Sequence, residues 1–306
     1  MEIILIRVLI TGVGGFIGSH MASYMSEMNY EIVGLDRILN KEVKYIVNEY
    51  ITNELSECDA NRFSGKPIDY IVHCAGVASV DAHEKMTNED YKATKNLVDI
   101  AIKNHVKKII FLSSNKVDST AESAYSKSKN TIEKLIETEL QDTDISYTFI
   151  RSSIVYGVGM GSNIYTWLNM INQKNIPALP ASESQILMIS VNDLCACIEK
   201  CFANNITDNK AYIISDGNIY GINEIETNAR KVFGKSTRYF VCPRFLLYIA
   251  SKLGDIFSIL NIRLPINSRI YNMLFSNYVL IPNEFNKETG FEPSTNFLNE
   301  IPRIFT

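Results

Sequence analysis

Tyr125 and Lys129 stand four residues apart in Tyr125-Ser-Lys-Ser-Lys129. On a helix such a pair shares one face, about one turn apart. A phenol left alone titrates at about pH 10, too high for an efficient base at neutrality. An ammonium beside it favours the phenolate and brings that value down. The pair then reads as a general acid/base for interconverting an alcohol and a ketone. Ser113 and Ser114 close the apolar run upstream of it. The carboxyl end of a parallel strand is where an α/β sheet opens its ligand crevice, so Ser114 is expected to hydrogen-bond the reacting oxygen.

A second group of residues suits phosphate. Thr11-Gly-Val-Gly-Gly-Phe-Ile-Gly18 places glycines at 12, 15 and 18. A pyrophosphate needs close backbone approach and free N–H groups, and a helix N-terminus supplies those groups with a favourable dipole. Gly12 would allow the tight turn, Gly15 the close approach and Gly18 the packing of helix on strand, with Phe16 and Ile17 opening the helix. Asp36 ends the next β-rich run and is placed to accept hydrogen bonds from adenosine ribose hydroxyls. A carboxylate there repels a 2′-phosphate, which favours NAD(H) over NADP(H). Arg37 beside it could pair with that phosphate and keeps NADP(H) open as the alternative.

Both groups require a frame that brings strand ends together. Ile3–Thr11 is an apolar run interrupted by Arg7, as expected for a central parallel strand covered on both faces. A helical pattern follows from about Ile17 to Met28, then a strand at Glu31–Leu35. Further strands are expected at Tyr70–Cys74, Lys107–Ser113 and Ser146–Ile150, alternating with helices at Asn88–Asn104 and Tyr125–Leu140. Regular alternation of this kind predicts an α/β fold, a Rossmann doubly wound parallel sheet. After Arg151 the rhythm loosens. Ile154–Ser162 is Gly-rich and Ile164–Gln173 helical. The strand Ile186–Val191, the helix Asn192–Phe202 and the strand Ala211–Ser215 are expected to return to the sheet. The expected division is a dinucleotide-binding domain over 1–155, rejoined by 186–216, and a smaller mixed C-terminal substrate lobe from 156–185 and 217–306. Pro243–Leu260 is strongly apolar. It reads as a core helix of that lobe, with a seat on a membrane surface or a lipid tail as the alternative.

Composition excludes several classes. The 306 residues are long enough for a well-buried core, and 46% hydrophobic with 21% charged is ordinary for a globular protein. A formal net charge of −4 leaves no polybasic footprint for nucleic acid. No apolar run reaches the length of a membrane span. Cys58, Cys74, Cys195, Cys197, Cys201 and Cys242 form no Cys-x-x-Cys pair and have no histidine at zinc-ligand spacing, so no metal is expected. They read as small buried side chains in a reducing, cytoplasmic compartment.

Taken together, these residues resemble the extended short-chain dehydrogenase/reductases of the nucleotide-sugar epimerase/dehydratase superfamily. The motif Thr11–Gly18 is followed by Ser19-His20, and His73-Cys74-Ala75-Gly76 resembles the His-x-Ala-Ala segment beside the cofactor. Asp90-Tyr91-x-x-Thr94-x-Asn96-Leu97 is similar to the family's Asn-x-x-Gly-Thr-x-Asn helix. Phe111-Leu-Ser-Ser114 and Tyr125-x-x-x-Lys129 match its catalytic set. Arg151–Gly157 resembles the Arg-x-x-x-Val-Tyr-Gly turn, and Val191-x-Asp193 and Thr289-Gly-Phe-x-Pro293 match its C-terminal half. The resemblance implies that Ser114 and Tyr125 contact the reacting hydroxyl. It implies that Lys129 holds the nicotinamide ribose and tunes Tyr125, and that Asp36 holds the adenosine ribose. Cys74, Ala75 and Gly76 would lie along the NAD. The substrate would be a sugar on a nucleotide diphosphate. The protein would be a homodimer packed through the helices at 88–104 and 125–140.

Departures from the pattern narrow the chemistry. Dehydratases of the family follow the catalytic Ser/Thr with an Asp-Glu pair that eliminates water, and here Asn115 and Lys116 stand instead. That argues against a 4,6-dehydratase. Epimerisation at C4 of a UDP-hexose or UDP-N-acetylhexosamine through a transient 4-keto sugar remains. The alternative is an NAD(P)H-dependent keto-sugar reductase or dehydrogenase. Ile154 and Ile186 stand where many relatives carry an Asn and an Arg for the diphosphate. Ser114, Asn115, Asn163 and Arg269, with Arg244, are the candidate substrate contacts. A polyprenyl-linked sugar would suit the apolar Pro243–Leu260 stretch. A non-catalytic dinucleotide sensor is disfavoured because Ser114, Tyr125 and Lys129 are all retained.

Overall fold

Val8, Leu9 and Ile10 have no solvent exposure, and Arg7 and Thr11 on either side are buried as well. A computed structural model describes residues 5–76, 85–118, 124–174, 176–202, 204–236, 240–259, 266–275 and 284–305. For 85–87, Lys116, Asp118, Ala124, Tyr125, Ile259 and Arg269 it describes the backbone alone. The chain divides into two compact units. The first comprises Met1–Ser153, Val191–Ile214 and Pro282–Glu292, and the second Ile154–Ser190, Ser215–Ile281 and Pro293–Thr306.

In the first unit, β1 (Arg7–Thr11) leads through a glycine turn to α1 (Phe16–Glu27) and β2 (Glu31–Asp36). A short α2 (Lys41–Lys44), β3 (Glu49–Thr52) and β4 (Tyr70–His73) follow. Then come α3 (Lys85–Lys103), β5 (Lys108–Ser114), α4 (Ala124–Leu140) and β6 (Ser146–Ser152). The second unit opens with β7 (Ile154–Tyr156), α5 (Asn163–Gln173) and β8 (Gln185–Ser190). The chain returns to the first unit with α6 (Val191–Lys200) and β9 (Lys210–Ile214), and leaves it again for β10 (Ile219–Gly221), α7 (Ile222–Val232), α8 (Arg244–Ile259) and α9 (Ser268–Phe275). The last helices are α10 (Glu284–Thr289), in the first unit, and α11 (Phe297–Ile304), in the second.

Among the described residues the first unit carries a seven-stranded sheet ordered β3-β2-β1-β4-β5-β6-β9, and every pair in it is parallel. The order reverses direction between β1 and β4, the switch point at which such sheets open a crevice beyond their carboxyl ends. All residues of β5 are buried, as expected of a parallel strand covered on both faces. Leu97 and Val98 of α3, Ile132 and Ile136 of α4, and Ile109, Phe111 and Phe149 of the sheet form one core cluster. This layer fixes α4 against β5 and β6, and α4 carries both Tyr125 and Lys129.

The second unit holds a three-stranded sheet ordered β10-β8-β7. This corrects the expectation that the strand near 186–191 returns to the large sheet. Ile186-Leu-Met-Ile189 buries equally well on either sheet, and its partners are β7 in parallel and β10 in antiparallel. Of the described residues in 186–216, α6 returns to the first unit and β9 joins its sheet beside β6.

The expected core helix is also corrected. Among the described side chains of α8 the fully buried one is Ser251, and Gly254 is buried beside it. Phe245, Leu246, Tyr248, Ile249, Leu253, Ile256 and Phe257 are exposed. The cause is close approach on the small-residue side. A Cβ on Gly254 would stand 1.9 Å from the Ile266 carbonyl oxygen, so the helix packs through its smallest residues and turns its apolar ones outward. Among the described residues no helix is long and apolar enough to cross a membrane.

Candidate active site

The turn between β1 and α1 is built by steric necessity. Gly12 has a φ of +69°, and a Cβ on it would lie 2.6 Å from the Ala75 backbone nitrogen. A Cβ on Gly18 would lie 2.1 Å from the Gly12 carbonyl oxygen. Gly15 is the N-cap of α1, where no side chain caps the helix and no acidic residue stands in the first turn. The N–H groups at this helix start therefore point to whatever anion lies beyond them.

Gly14, outside the expected trio, is the glycine beside Asp36. Its N–H donates to Asp36 Oδ2 at 2.9 Å, and a Cβ there would sit 3.1 Å from the same oxygen and 3.2 Å from the Tyr50 hydroxyl. Asp36 Oδ1 accepts from the Ile38 N–H at 3.2 Å. A carboxylate has about four acceptor sites, so hydrogen-bonding capacity remains for ligand hydroxyls. Tyr50 donates to the Ile38 carbonyl at 2.8 Å and accepts from the Asn40 N–H at 3.1 Å, while the Asn40 side chain donates to the Gly14 carbonyl at 3.2 Å. Tyr50 and Asn40 thus fold the 37–40 loop onto the glycine turn. Neither is legible in the sequence, because nothing local to either residue signals the other.

A cleft of about 1090 Å³ in the first unit is lined by Gly12 and Gly15, by Asp36 and Arg37, by Cys74, Ala75 and Gly76, and by Lys129. Phe16, Ile17 and Gly18 are not among its lining residues. The Phe16 ring packs edge-on against His20 at 5.1 Å, Ile17 is half-buried, and Gly18 is buried under the turn. What these three bring to the site is the backbone at the start of α1. Burial pushes the Cys74 thiol up, so it stays protonated.

Lys129 sits where the cleft meets β5. Its Nζ donates to the Leu112 carbonyl at 3.3 Å, lies 5.0 Å from the Phe111 ring centroid, and would be 3.4 Å from a Cβ on Gly76. Burial pulls its ammonium below the ordinary lysine value, while Asp90, Glu133 and Cys74 act in the other direction. Burial raises the Asp90 carboxyl, with Lys129 opposing. His73, under the cleft, is hydrogen-bonded to Thr11 Oγ1 at 2.7 Å and stacked on Phe111 at 5.0 Å.

Ser114 is buried at the carboxyl end of β5, in register with Ser152 of β6, and Asn115 begins the 3₁₀ turn Asn115–Asp118. Neither lines the cleft. The backbone of Tyr125 is the second residue of α4, and its side chain lies outside the described residues. The other substrate candidates belong to the second unit. Asn163 is exposed at the start of α5, and the Arg269 side chain lies outside the described residues. Arg244 is turned onto α9, donating to the Tyr271 hydroxyl at 3.2 Å with its guanidinium 4.8 Å from the Phe275 ring. Sequence reasoning also misses Glu133, one turn beyond Lys129. Its only sequence signal is that i, i+4 spacing.

These features fit a dinucleotide. The turn admits only glycine at two points, the helix start beyond it is uncapped, and a carboxylate with spare acceptor capacity stands at the adjacent strand end.

A model of the NAD dependent epimerase/dehydratase family matches residues 8–215. A UDP-glucose 4-epimerase of Vibrio cholerae is 26% identical over 275 residues, which are 80% of this chain and 81% of that protein. Among solved structures, the UDP-glucose 4-epimerase of Thermotoga maritima with UDP-glucose aligns at a TM-score of 0.77 and 18% identity, covering 98% of this chain and 97% of that one. The dTDP-glucose 4,6-dehydratase of Streptomyces venezuelae, solved with NAD, aligns at 0.75 and 17% identity, covering 98% and 95%. At such identities the structural likeness establishes the fold.

Proposed function

Since the chain belongs to the NAD dependent epimerase/dehydratase family, whose cofactor is NAD, we propose that it is a nucleotide-sugar 4-epimerase acting on a UDP-hexose or UDP-N-acetylhexosamine. The observation that carries this reading is the placement of the Lys129 ammonium in the same cleft as the glycine turn and Asp36. NAD, when bound, supplies the acceptor and later the donor of a hydride. The remaining work falls to this chain. The turn at Gly12–Gly15 and the start of α1 hold the pyrophosphate, and Asp36 holds the adenosine ribose. Lys129 holds the nicotinamide ribose and favours the Tyr125 phenolate. Tyr125 takes the proton of the C4 hydroxyl and returns it after the keto sugar has turned over, and Ser114 keeps that oxygen in place. The first unit is then the dinucleotide domain and the second the sugar lobe. Replacement of the dehydratase Asp-Glu pair by Asn115 and Lys116 supports epimerisation over elimination of water.

The test has two parts. Denaturing the purified protein should release stoichiometric NAD⁺ or NADH, identified by mass spectrometry. Proton NMR should follow conversion between UDP-glucose and UDP-galactose, or between their N-acetylhexosamine counterparts, without added cofactor. Tyr125→Phe should lower turnover by about 10²–10⁴-fold with the cofactor retained. An empty site or bound NADP(H), with NADPH consumed at each turnover, would replace the epimerase by a reductase.

The outward apolar face of α8 favours a second reading, a sugar carried on a polyprenyl diphosphate. In that case Phe245→Ser with Leu246→Ser removes activity on a lipid-linked sugar. Unchanged activity on that substrate sinks the reading.

A further inference from the structure

Glu133 is 3% exposed and lies one turn after Lys129 on α4. Its carboxylate is reached from two strands. The Ser113 hydroxyl of β5 donates to Oε1, and Arg151 of β6 donates from Nε to Oε1 at 3.2 Å and from Nη2 to Oε2 at 2.6 Å. Ser113 and Arg151 are register partners in the sheet, at the carboxyl ends of β5 and β6 and next to Ser114. One buried carboxylate therefore ties the helix that carries Tyr125 and Lys129 to the two strand ends that flank the reacting position.

The charges around it make a second argument. A guanidinium does not give up its proton in a protein, so Arg151 is a fixed cation. Lys129, one turn from the same carboxylate, is the other cation. It is faced by Asp90 from α3, by His73 and Cys74 from the end of β4, and by Glu133 on its own helix. Asp90 favours the charged lysine as well, and the carboxylate shared by both cations is Glu133. Take it away, and the group able to lose its charge is the lysine.

We propose that Glu133 is a positioning residue. It is the counter-charge of Arg151, it adds to Asp90 in keeping Lys129 ionised, and it ties the helix that carries Lys129 to the ends of β5 and β6. The use of Lys129 in turnover rests on the function proposed above; the charge balance does not.

The test therefore begins with a measurement that needs no turnover. Competitive acetylation of the purified full-length protein with acetic anhydride over a range of pH, read on the Lys129 peptide by mass spectrometry, gives the midpoint of lysine ionisation. Glu133→Gln keeps the shape and removes the charge, and the midpoint should fall by about one pH unit. Glu133→Asp should restore it toward the parent. Arg151→Gln removes the opposing cation, so it should move the midpoint upward and remains informative if Glu133→Gln does not fold. With the nucleotide sugar that the parent converts, Glu133→Gln should lower kcat about tenfold, leave KM within about twofold, and bring the alkaline limb of kcat to lower pH. Superimposable labelling curves with only a lower Tm would reduce Glu133 to a structural tie and overturn the proposal. So would a fall in both Glu133→Gln and Arg151→Gln. Failure of the epimerase reading appears instead as a parent without turnover, or a Tyr125→Phe variant as active as the parent, with the labelling result unaffected.

Discussion

His73 carries no charge in the folded protein. Burial, with the Lys129 charge behind it, pushes its imidazole down to about 3 from an ordinary 6.5. Below about pH 6.5 the unfolded chain takes up a proton that the folded one refuses. The contribution of this site is therefore complete above that pH and drains away as the pH falls toward the folded value. The slope is at most about 1.4 kcal/mol per pH unit. Urea midpoints of His73→Gln should fall less steeply than those of the parent between about pH 6 and about pH 4. Parallel slopes would show that His73 titrates normally. Steric predictions apply to the turn above it. Gly12→Ala meets both a positive φ, at about 1–2 kcal/mol, and the Ala75 backbone, so it should lose bound NAD and unfold at a lower temperature. Gly65→Ala, where an added Cβ meets nothing within 4 Å, should do neither. Gly12, Gly18, Asp36 and Lys129 are legible in the sequence because each belongs to a short local spacing. Tyr50, Asn40 and Glu133 are not. Their partners are set by tertiary contact, and a charge on a helix such as α4 reads equally well as a solvated face.

At the scale of elements, the strands that carry the site are the easiest to read. β1 and β5 are apolar throughout their centres because helices cover both faces, and their carboxyl ends are marked by glycine and serine. Short elements are harder. Glu49-Tyr-Ile-Thr52 forms the edge strand β3, and Ile154–Tyr156 and Ile219–Gly221 form three-residue strands, too brief for a period of two to register. An apolar run also does not say which sheet it joins, as β8 shows, nor which side of a helix is buried, as α8 shows. That helix yields a prediction opposite to a hydropathy reading. Ile249→Ser and Ile256→Ser, at positions 50% and 55% exposed, should each change stability by no more than about 0.5 kcal/mol. Gly254→Ala adds one methyl group against the Ile266 carbonyl and should cost about 1–3 kcal/mol. Thermal denaturation of the three variants checks this, and a larger loss in the isoleucine variants would place them in the core after all.

At the scale of the whole molecule, the first unit is assembled from three stretches of chain, and its later stretches complete earlier ones. Lys108, at the start of β5, has a side chain only 3% exposed, and its ammonium is held entirely from 201–208 in the bonds the structure gives it. It donates to the Cys201 carbonyl at 2.9 Å, to Thr207 Oγ1 at 2.7 Å and to the Asn204 carbonyl at 3.3 Å, and pairs with Asp208 at 2.5 Å. Phe202 covers the rings of Tyr30 and Tyr70, and β9 pairs with the outer edge of β6. A chain ending at Ser153 keeps the glycine turn, Asp36, Tyr125 and Lys129, and on motif content alone should still bind NAD. It also strips the Lys108 ammonium of the segment that holds and covers it, against a typical total stability of only about 5–15 kcal/mol. An open strand edge and two uncovered tyrosine rings add to that. This fragment should therefore fail to hold NAD and show no cooperative urea transition. The same fragment joined through a flexible Gly/Ser linker to 191–214 should recover both. Tight NAD binding by the shorter fragment would mean that the motifs suffice and that the returning segment is only a cover.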